Sequence, residues 1–205
     1  GCGDVPLGLE LAADLVKMEG ADAKLFVSEI SCIDYSEIVV KSLIDKQKKE
    51  KSSTLQASFD SLDARDLPYM ANTYDVVLEK GTLDAMLSDK EEGKQNCIQI
   101  VKEMARVTNI GGSILIVSHL NANEPKGMGW LEDVVFSGLK AEFSERRDAT
   151  YSVEVHGGEG QINDEDEVIT FGPAVYIIRK KSVAATNARE PSTMPPVKVE
   201  FLTYD

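Results

Sequence analysis

A chain of 205 residues, 42% apolar and 28% charged, carries enough apolar side chains for a folded core, which argues against a disordered protein and makes one domain the default. Its 22 Lys and Arg against 35 Asp and Glu leave a net charge of -13, a sign that disfavours nonspecific attraction to nucleic acid or an anionic membrane and tolerates a basic protein partner. Three scattered cysteines and two histidines make no zinc spacing, so no metal is expected and the thiols read as buried or idle in a reducing compartment, with a cytoplasmic location expected; no apolar run spans a bilayer and no leader is visible.

Leu7, Leu11, Leu15 and Met18 recur at intervals of three and four between Pro6 and Gly20, which predicts a helix with one apolar face. "EISCIDYS" follows as a short strand ending in Asp34. Next comes a helix with apolar Ile38, Val39, Leu43 and Ile44, whose end "KQKKEKSS" reads as a solvated terminus. "STLQASFDSLDARDLPY" predicts a strand that enters a loop at Asp63. In "TYDVVLEKGTLDAML" the continuous Val76, Val77 and Leu78 suit a central parallel strand covered on both faces, with Glu79, Lys80 and Gly81 at its exit.

"NCIQIVKEMARVT" sets Ile98, Val101, Ala105 and Thr108 on one helical face, and an "IGG" turn delivers the chain to the strand "SILIVSHL". "GWLEDVVFSGL" reads as a helix. "EFSERRDATYSVEVHG" and "PAVYIIRKK" read as longer strands around an acidic loop, an antiparallel pair closing a mostly parallel sheet. The expected domain is therefore 1–181. Residues 182–205, with three prolines and little periodicity, are expected to be mostly flexible, with "VKVEFLTY" docking as an edge segment.

"GCGD" at the start places a tight glycine turn directly before the first helix, so the strand that leads into it is expected upstream and the domain is expected to be N-terminally incomplete. Neither long phosphate-binding glycine pattern is present, and Asp4 would repel a phosphate while welcoming the ammonium of an amino-acid ligand. Asp34, closing a strand, suits both hydroxyls of a ribose. Asp63 suits an exocyclic adenine amine, with the Ala64 amide meeting a ring nitrogen. Each acid has an ordinary alternative as a helix cap or loop residue; three acids at successive strand exits face one crevice, where ligands of such sheets bind.

The ordered set "GCGD", "SCIDYS", "DARDLPY", "TYDVVLEKGTLDAML" and "VTNIGGSILIVS" resembles the seven-strand S-adenosylmethionine-dependent methyltransferases over residues 1 to 181. "EKGTLDAM" resembles the methyltransferase-like branch that includes lysine methyltransferases of elongation factor 1 alpha. The resemblance implies an α/β Rossmann-like doubly wound sheet, mostly parallel with an antiparallel terminal strand and lacking its first central strand. It also implies S-adenosylmethionine as cofactor. Gly1, Cys2 and Gly3 would pass under its methionine portion, Asp34 would hold its ribose, Tyr35 would join the cofactor-binding set, Asp63 and Ala64 would frame its adenine, and Glu79 with Lys80 would line the pocket near the methyl group. The final glycine of the family's usual pattern is absent here.

Methyl transfer needs an electron-rich acceptor aligned with the methyl carbon and sulfur, with no metal or covalent enzyme intermediate. A lysine acceptor must lose a proton, because an ammonium has no lone pair. Glu79 and Asp84 can orient that ammonium and give its proton a route out, although Asp84 in a first helical turn also suits the helix N-terminus alone. His119, after the next strand, is chemically suited to be a general base and equally to be a hydrogen-bonded rim residue. Tyr69 and Tyr74 are expected to pack around the strand entry, and Trp130 to sit in a helix or lid over the sheet. The expected activity is methylation of a protein lysine, with elongation factor 1 alpha as a candidate substrate. A small-molecule methyltransferase and a noncatalytic cofactor-binding module are the alternatives.

Overall fold

Cys32 and Phe59 face each other in register at the centre of a parallel strand pair, β1 (Ile30–Asp34) and β2 (Ala57–Ser61), and both are buried. These strands belong to the first of two compact units, Gly1–Leu67, in a computed structural model that describes residues 1–3, 7–19, 27–49, 57–122, 125–157, 160–162, 168–183 and 197–202. Asp4, residues 20–26, residues 50–56, the acidic segment 163–167 and residues 184–196 lie outside the described residues.

In this unit α1 spans Leu7–Glu19 and α2 spans Glu37–Lys49. Ser36 starts α2 by accepting the Val39 amide on its hydroxyl, as a serine N-cap does. Val40 and Leu43 carry the buried stripe and join Cys32, Ala57 and Phe59, with Cys2, Ile30, Val39 and Ile44 packed around them. Ile38, expected on the apolar face, is instead exposed, because it precedes that stripe by two residues and so points away from it. Leu11 and Met18 of α1 are also exposed. Gln47 ties α2 to β2 by bonding both the amide and the carbonyl of Ala57.

The second unit, Pro68–Asp205, is built on a sheet ordered β3-β4-β8-β5-β9, comprising Tyr74–Lys80, Thr108–Ser118, Ala174–Ser182, Ala149–Gly157 and Val197–Leu202. β3 pairs parallel with β4 and β9 parallel with β5, while β8 runs antiparallel to both of its neighbours. Of these strands β8 alone opposes the common direction, giving the mostly parallel sheet with an antiparallel member expected of the sequence. β6 (Gly160–Ile162) and β7 (Val168–Phe171) form a separate antiparallel pair.

Alternation fixes which face is buried: Ile114 and Ile116 of β4, Tyr151, Val153 and Val155 of β5, and Ala174, Tyr176 and Ile178 of β8. The helices of this unit are α3 (Thr82–Met86), α4 (Gly93–Val107), α5 (Pro125–Trp130) and α6 (Ser137–Arg146), with a π-helical segment at Leu131–Phe136 joining the last two. α4 buries Cys97, Ile100, Val101, Met104 and Ala105, a stripe at helical spacing, and packs against β3, β4 and α6. At the α4–α6 contact a Cβ on Gly138 would lie 2.6 Å from Val101 Cβ, so only glycine allows this approach.

Three local expectations change. "EFSERR" ends α6, with Glu142 and Phe143 buried on its inner side, and Arg147 in a left-handed conformation (φ 54°) stops the helix before β5. The "IGG" turn lies inside β4: Gly111 at φ 91° accompanies a jump in register from Tyr74↔Thr108 to Val76↔Ser113. β3 is the edge of its sheet among the described residues, and Val76 and Leu78, expected to be covered on both faces, are exposed.

Lys180 occupies an inward position of β8 and is fully buried. Its ammonium donates to the carbonyls of Ala105 (2.7 Å) and Thr108 (3.1 Å) and to Asn72 Oδ1 (3.1 Å), and lies 3.5 Å from Glu142. It thereby satisfies carbonyls at the C-terminus of α4, where a cation is favoured.

Candidate active site

In the first unit the glycine turn is fastened to the end of β1. Cys2 donates its amide to the Ile33 carbonyl at 2.7 Å, and Gly3, at φ 63°, donates to Asp34 Oδ2 at 2.9 Å. Asp34 Oδ1 accepts the Ser36 amide at 2.9 Å, an Asx turn that also sets the start of α2. Each carboxylate oxygen thus holds one backbone donor and retains acceptor capacity. A Cβ on Gly1 would lie 2.2 Å from Asp34 Oδ2, so a larger residue there would have to displace a carboxylate held by two backbone amides.

Beside Asp34 a cleft of about 360 Å³ is lined by Tyr35, Glu37, Ser61, Leu62 and Asp63. Asp63 is gripped by Arg65, whose backbone amide and guanidinium bond both of its oxygens at 2.7 to 3.1 Å. These hydrogen bonds hold the Asp63 carboxyl below the usual carboxylate range. The adenine amine assigned to Asp63 would therefore meet a carboxylate already bonded by Arg65. Ala64 is half-buried in the same loop.

In the second unit Glu79 is 7% exposed on β3. Gly81, at φ 78°, turns the chain sharply from β3 into α3, and Glu79 Oε1 curls back to accept the amides of Thr82 and Leu83. This explains the spacing in "EKGTL": glycine supplies the left-handed turn and the glutamate two residues earlier satisfies the first helical amides. Oε2 is buried and has no hydrogen-bond partner among the described residues. Burial pushes the Glu79 carboxyl above its usual range, against the pull of the Leu83 and Thr82 amides, and the charge of Asp84 adds to the rise.

Asp84, in α3, accepts the Ser118 hydroxyl on Oδ1 and the His119 amide on Oδ2. It is thereby joined to the exit of β4, the neighbour of β3. The His119 side chain is exposed at that exit. Cys97 donates to the Leu83 carbonyl, and burial, with the charges of Glu79 and Asp84, pushes its thiol up to about 12, so it stays neutral. Trp130 is buried against Tyr176, with ring centroids 4.9 Å apart, and Tyr69 meets Tyr74 edge to face.

Among the predicted residues the structure joins Gly1, Cys2, Gly3 and Asp34 in the first unit, and Glu79, Asp84 and His119 in the second. Ser118 and Tyr176 did not stand out from the sequence. A serine at a strand end and a tyrosine at an inward strand position look like ordinary sheet residues until their hydroxyl partners are known.

A family model described as a methyltransferase domain matches residues 1–163. The chain belongs to this methyltransferase domain family. Over 98 residues it is 38% identical to the human eEF1A lysine and N-terminal methyltransferase, covering 46% of this chain and 13% of that protein. Over 86 residues it is 33% identical to EEF1A lysine methyltransferase 4 of Bos taurus, covering 38% of this chain and 32% of that protein. The chain thus matches well under half the length of either relative.

A SAM-dependent methyltransferase from Methanosarcina mazei shares the fold, with a TM-score of 0.54, 14% identity, and coverage of 88% of this chain and 89% of that one. The YcgJ protein of the bacillus "Bacillus subitilis" has a TM-score of 0.50, 15% identity and 88% coverage of each chain. S-adenosylmethionine is the cofactor of this methyltransferase fold. The first unit fits its nucleoside: the Asp34 carboxylate keeps acceptor sites beside a turn in which Gly1 passes it closely and Gly3 is left-handed, and a cleft lined by Tyr35, Ser61 and Asp63 adjoins it.

Proposed function

We propose that this methyltransferase modifies the side-chain amine of a protein lysine, and that elongation factor 1 alpha is its substrate. The observation that carries the reading is the buried, partnerless Oε2 of Glu79 at the exit of β3. A buried carboxylate oxygen without a donor is costly, and the N–H groups of an incoming amine or ammonium are donors that would relieve it. The neighbouring Asp84 adds negative charge, and the net charge of -13 favours approach of a basic protein surface. Both curated relatives are named for methylation of eEF1A, which supports the choice of protein.

In this reading Asp34 accepts the ribose hydroxyls, Tyr35 lines the ribose end, Gly1, Cys2 and Gly3 leave space for the methionine portion, and Asp63 with Ala64 frames the adenine. The bound cofactor supplies an electrophilic methyl group and leaves as a neutral thioether. Glu79 holds the acceptor nitrogen through Oε2 while Oε1 stays on the α3 amides. The ammonium gives up one proton before transfer, with the Glu79 carboxylate as first acceptor and His119 at the rim as a route to solvent. Such a substrate places the enzyme in the cytoplasm.

The test is to incubate the protein with isotopically labelled S-adenosylmethionine, purified elongation factor 1 alpha and a panel of small amines and metabolites, and to locate the label by mass spectrometry. Label on a lysine side chain is expected. Label on a metabolite with none on protein rejects the lysine reading, and cofactor binding with no transfer to either class favours a noncatalytic role.

A further inference from the structure

The turn that follows β4 is held by side chains in place of a strand ladder. The His119 amide goes to Asp84 Oδ2 at 3.2 Å and the Leu120 amide to Ser118 Oγ at 3.0 Å. The Leu120 carbonyl accepts the Tyr176 hydroxyl at 2.5 Å, and the Ala122 amide donates to the oxygen of that hydroxyl at 2.8 Å. Four backbone groups of one short turn are therefore fixed by three side chains. The Asn121 carbonyl between them is approached so closely by Gly127 that a Cβ there would lie 1.7 Å away.

We infer that Tyr176 is a positioning residue for methyl transfer: from β8 its hydroxyl fixes the backbone of Leu120 and Ala122 and so sets the turn that carries His119. The inference rests on the proposed assignment of the β3 and β4 exits to the acceptor side. Tyr176 is itself fully buried, opposite Ile116 of β4 and Val155 of β5, so it cannot touch an acceptor. Its ring fills the core against Trp130, a task phenylalanine would do equally well; only the hydroxyl reaches the turn. A buried phenol that both donates to and accepts from one turn fixes the path of that backbone, and transfer chemistry is sensitive to small displacements of the groups lining it. Burial pushes this phenol up to about 12, so it keeps the proton it donates to Leu120.

Tyr176→Phe removes the hydroxyl and retains the ring. Five quantities are compared with wild type: the melting temperature, the dissociation constant for S-adenosylhomocysteine by calorimetry, amide exchange at Ala122, and kcat and KM for transfer to purified elongation factor 1 alpha at a temperature where both proteins are folded. Ala122 exchange is expected to rise at least about tenfold and kcat to fall about 10- to 100-fold, with the acceptor KM and the cofactor-product affinity within about threefold of wild type. An unchanged kcat overturns the inference, as does unchanged exchange at Ala122 or a kcat loss no larger than the loss of folded protein. If the wild type modifies a metabolite and not the protein, the lysine reading fails, and the same comparison on that metabolite decides the role of Tyr176. Transfer by the wild type to neither class sinks both.

Discussion

Asp84 bonds the hydroxyl of Ser118 at 2.6 Å and the amide of His119 at 3.2 Å, joining α3 to the exit of β4 across 34 and 35 residues of chain. This contact fixes two of the three residues assigned to the acceptor side; burial raises the pKa of the third, Glu79, and the same carboxylate adds to the rise. Asp84 thereby serves as an anchor for the β4 turn as well as a source of negative charge.

Asp84→Ala removes both acceptor oxygens, so both bonds are lost. Stability should fall by about 1 to 2 kcal/mol in urea melts, with faster exchange at the His119 amide. Unchanged stability and unchanged exchange would show that the link is dispensable.

Asp34→Ala removes the carboxylate that binds both the glycine turn and the start of α2. Calorimetry with S-adenosylhomocysteine should show affinity weakened by about 1.5 to 3 kcal/mol in a variant that remains folded. Undiminished affinity would remove Asp34 from the ribose position.

Asp34 was legible because an aspartate at a strand exit, followed by Ser36 and a helical pattern, has a recognisable local chemistry. Glu79 was legible as an acid at a strand exit; its capping of α3 depends on the left-handed Gly81, and the orphaned Oε2 depends on burial, which no spacing reveals. The inward alternation of β8 continues from Ala174, Tyr176 and Ile178 to Lys180, so position places the lysine inside although its charge would have placed it outside. The carbonyls of Ala105 and Thr108, 75 and 72 residues away in sequence, together with Asn72 and Glu142, explain why an ammonium is tolerated there. The helical end of "EFSERR" was misread because a short mixed run fits either period until Glu142 and Phe143 are seen to be buried together.

Lys180→Met keeps much of the volume and leaves Glu142, Asn72 and the α4 carbonyls without the ammonium. Denaturant melts should show a loss of about 3 to 5 kcal/mol, the cost of breaking one side of a buried charge pair. A loss below about 1 kcal/mol would mean that the ammonium is not needed to satisfy these groups.

The raised pKa of Glu79 has a definite pH signature. Between the ordinary glutamate value and the higher folded value, the native state binds more protons than the unfolded chain, so this group's contribution to stability falls as pH rises through that window and stays low above it. Glu79→Gln has no such ionisation. The stability of the wild type relative to this variant should therefore decline as pH rises above the ordinary glutamate range in parallel urea titrations. A relative gain for the wild type over that range would contradict the burial of this carboxyl.

The most direct test of Glu79 as the group that receives the acceptor is the single-turnover rate of methyl transfer to purified elongation factor 1 alpha at saturating cofactor, wild type against Glu79→Gln, with S-adenosylhomocysteine affinity measured alongside. Glutamine can still cap α3 through its carbonyl oxygen, but it loses the charge and the proton acceptor. The expected result is a rate about 100-fold lower, the modest end of what a positioned acid–base group contributes, with affinity for the cofactor product within about threefold of wild type. Equal rates, or a rate loss matched by an equal loss of cofactor-product affinity, would contradict it.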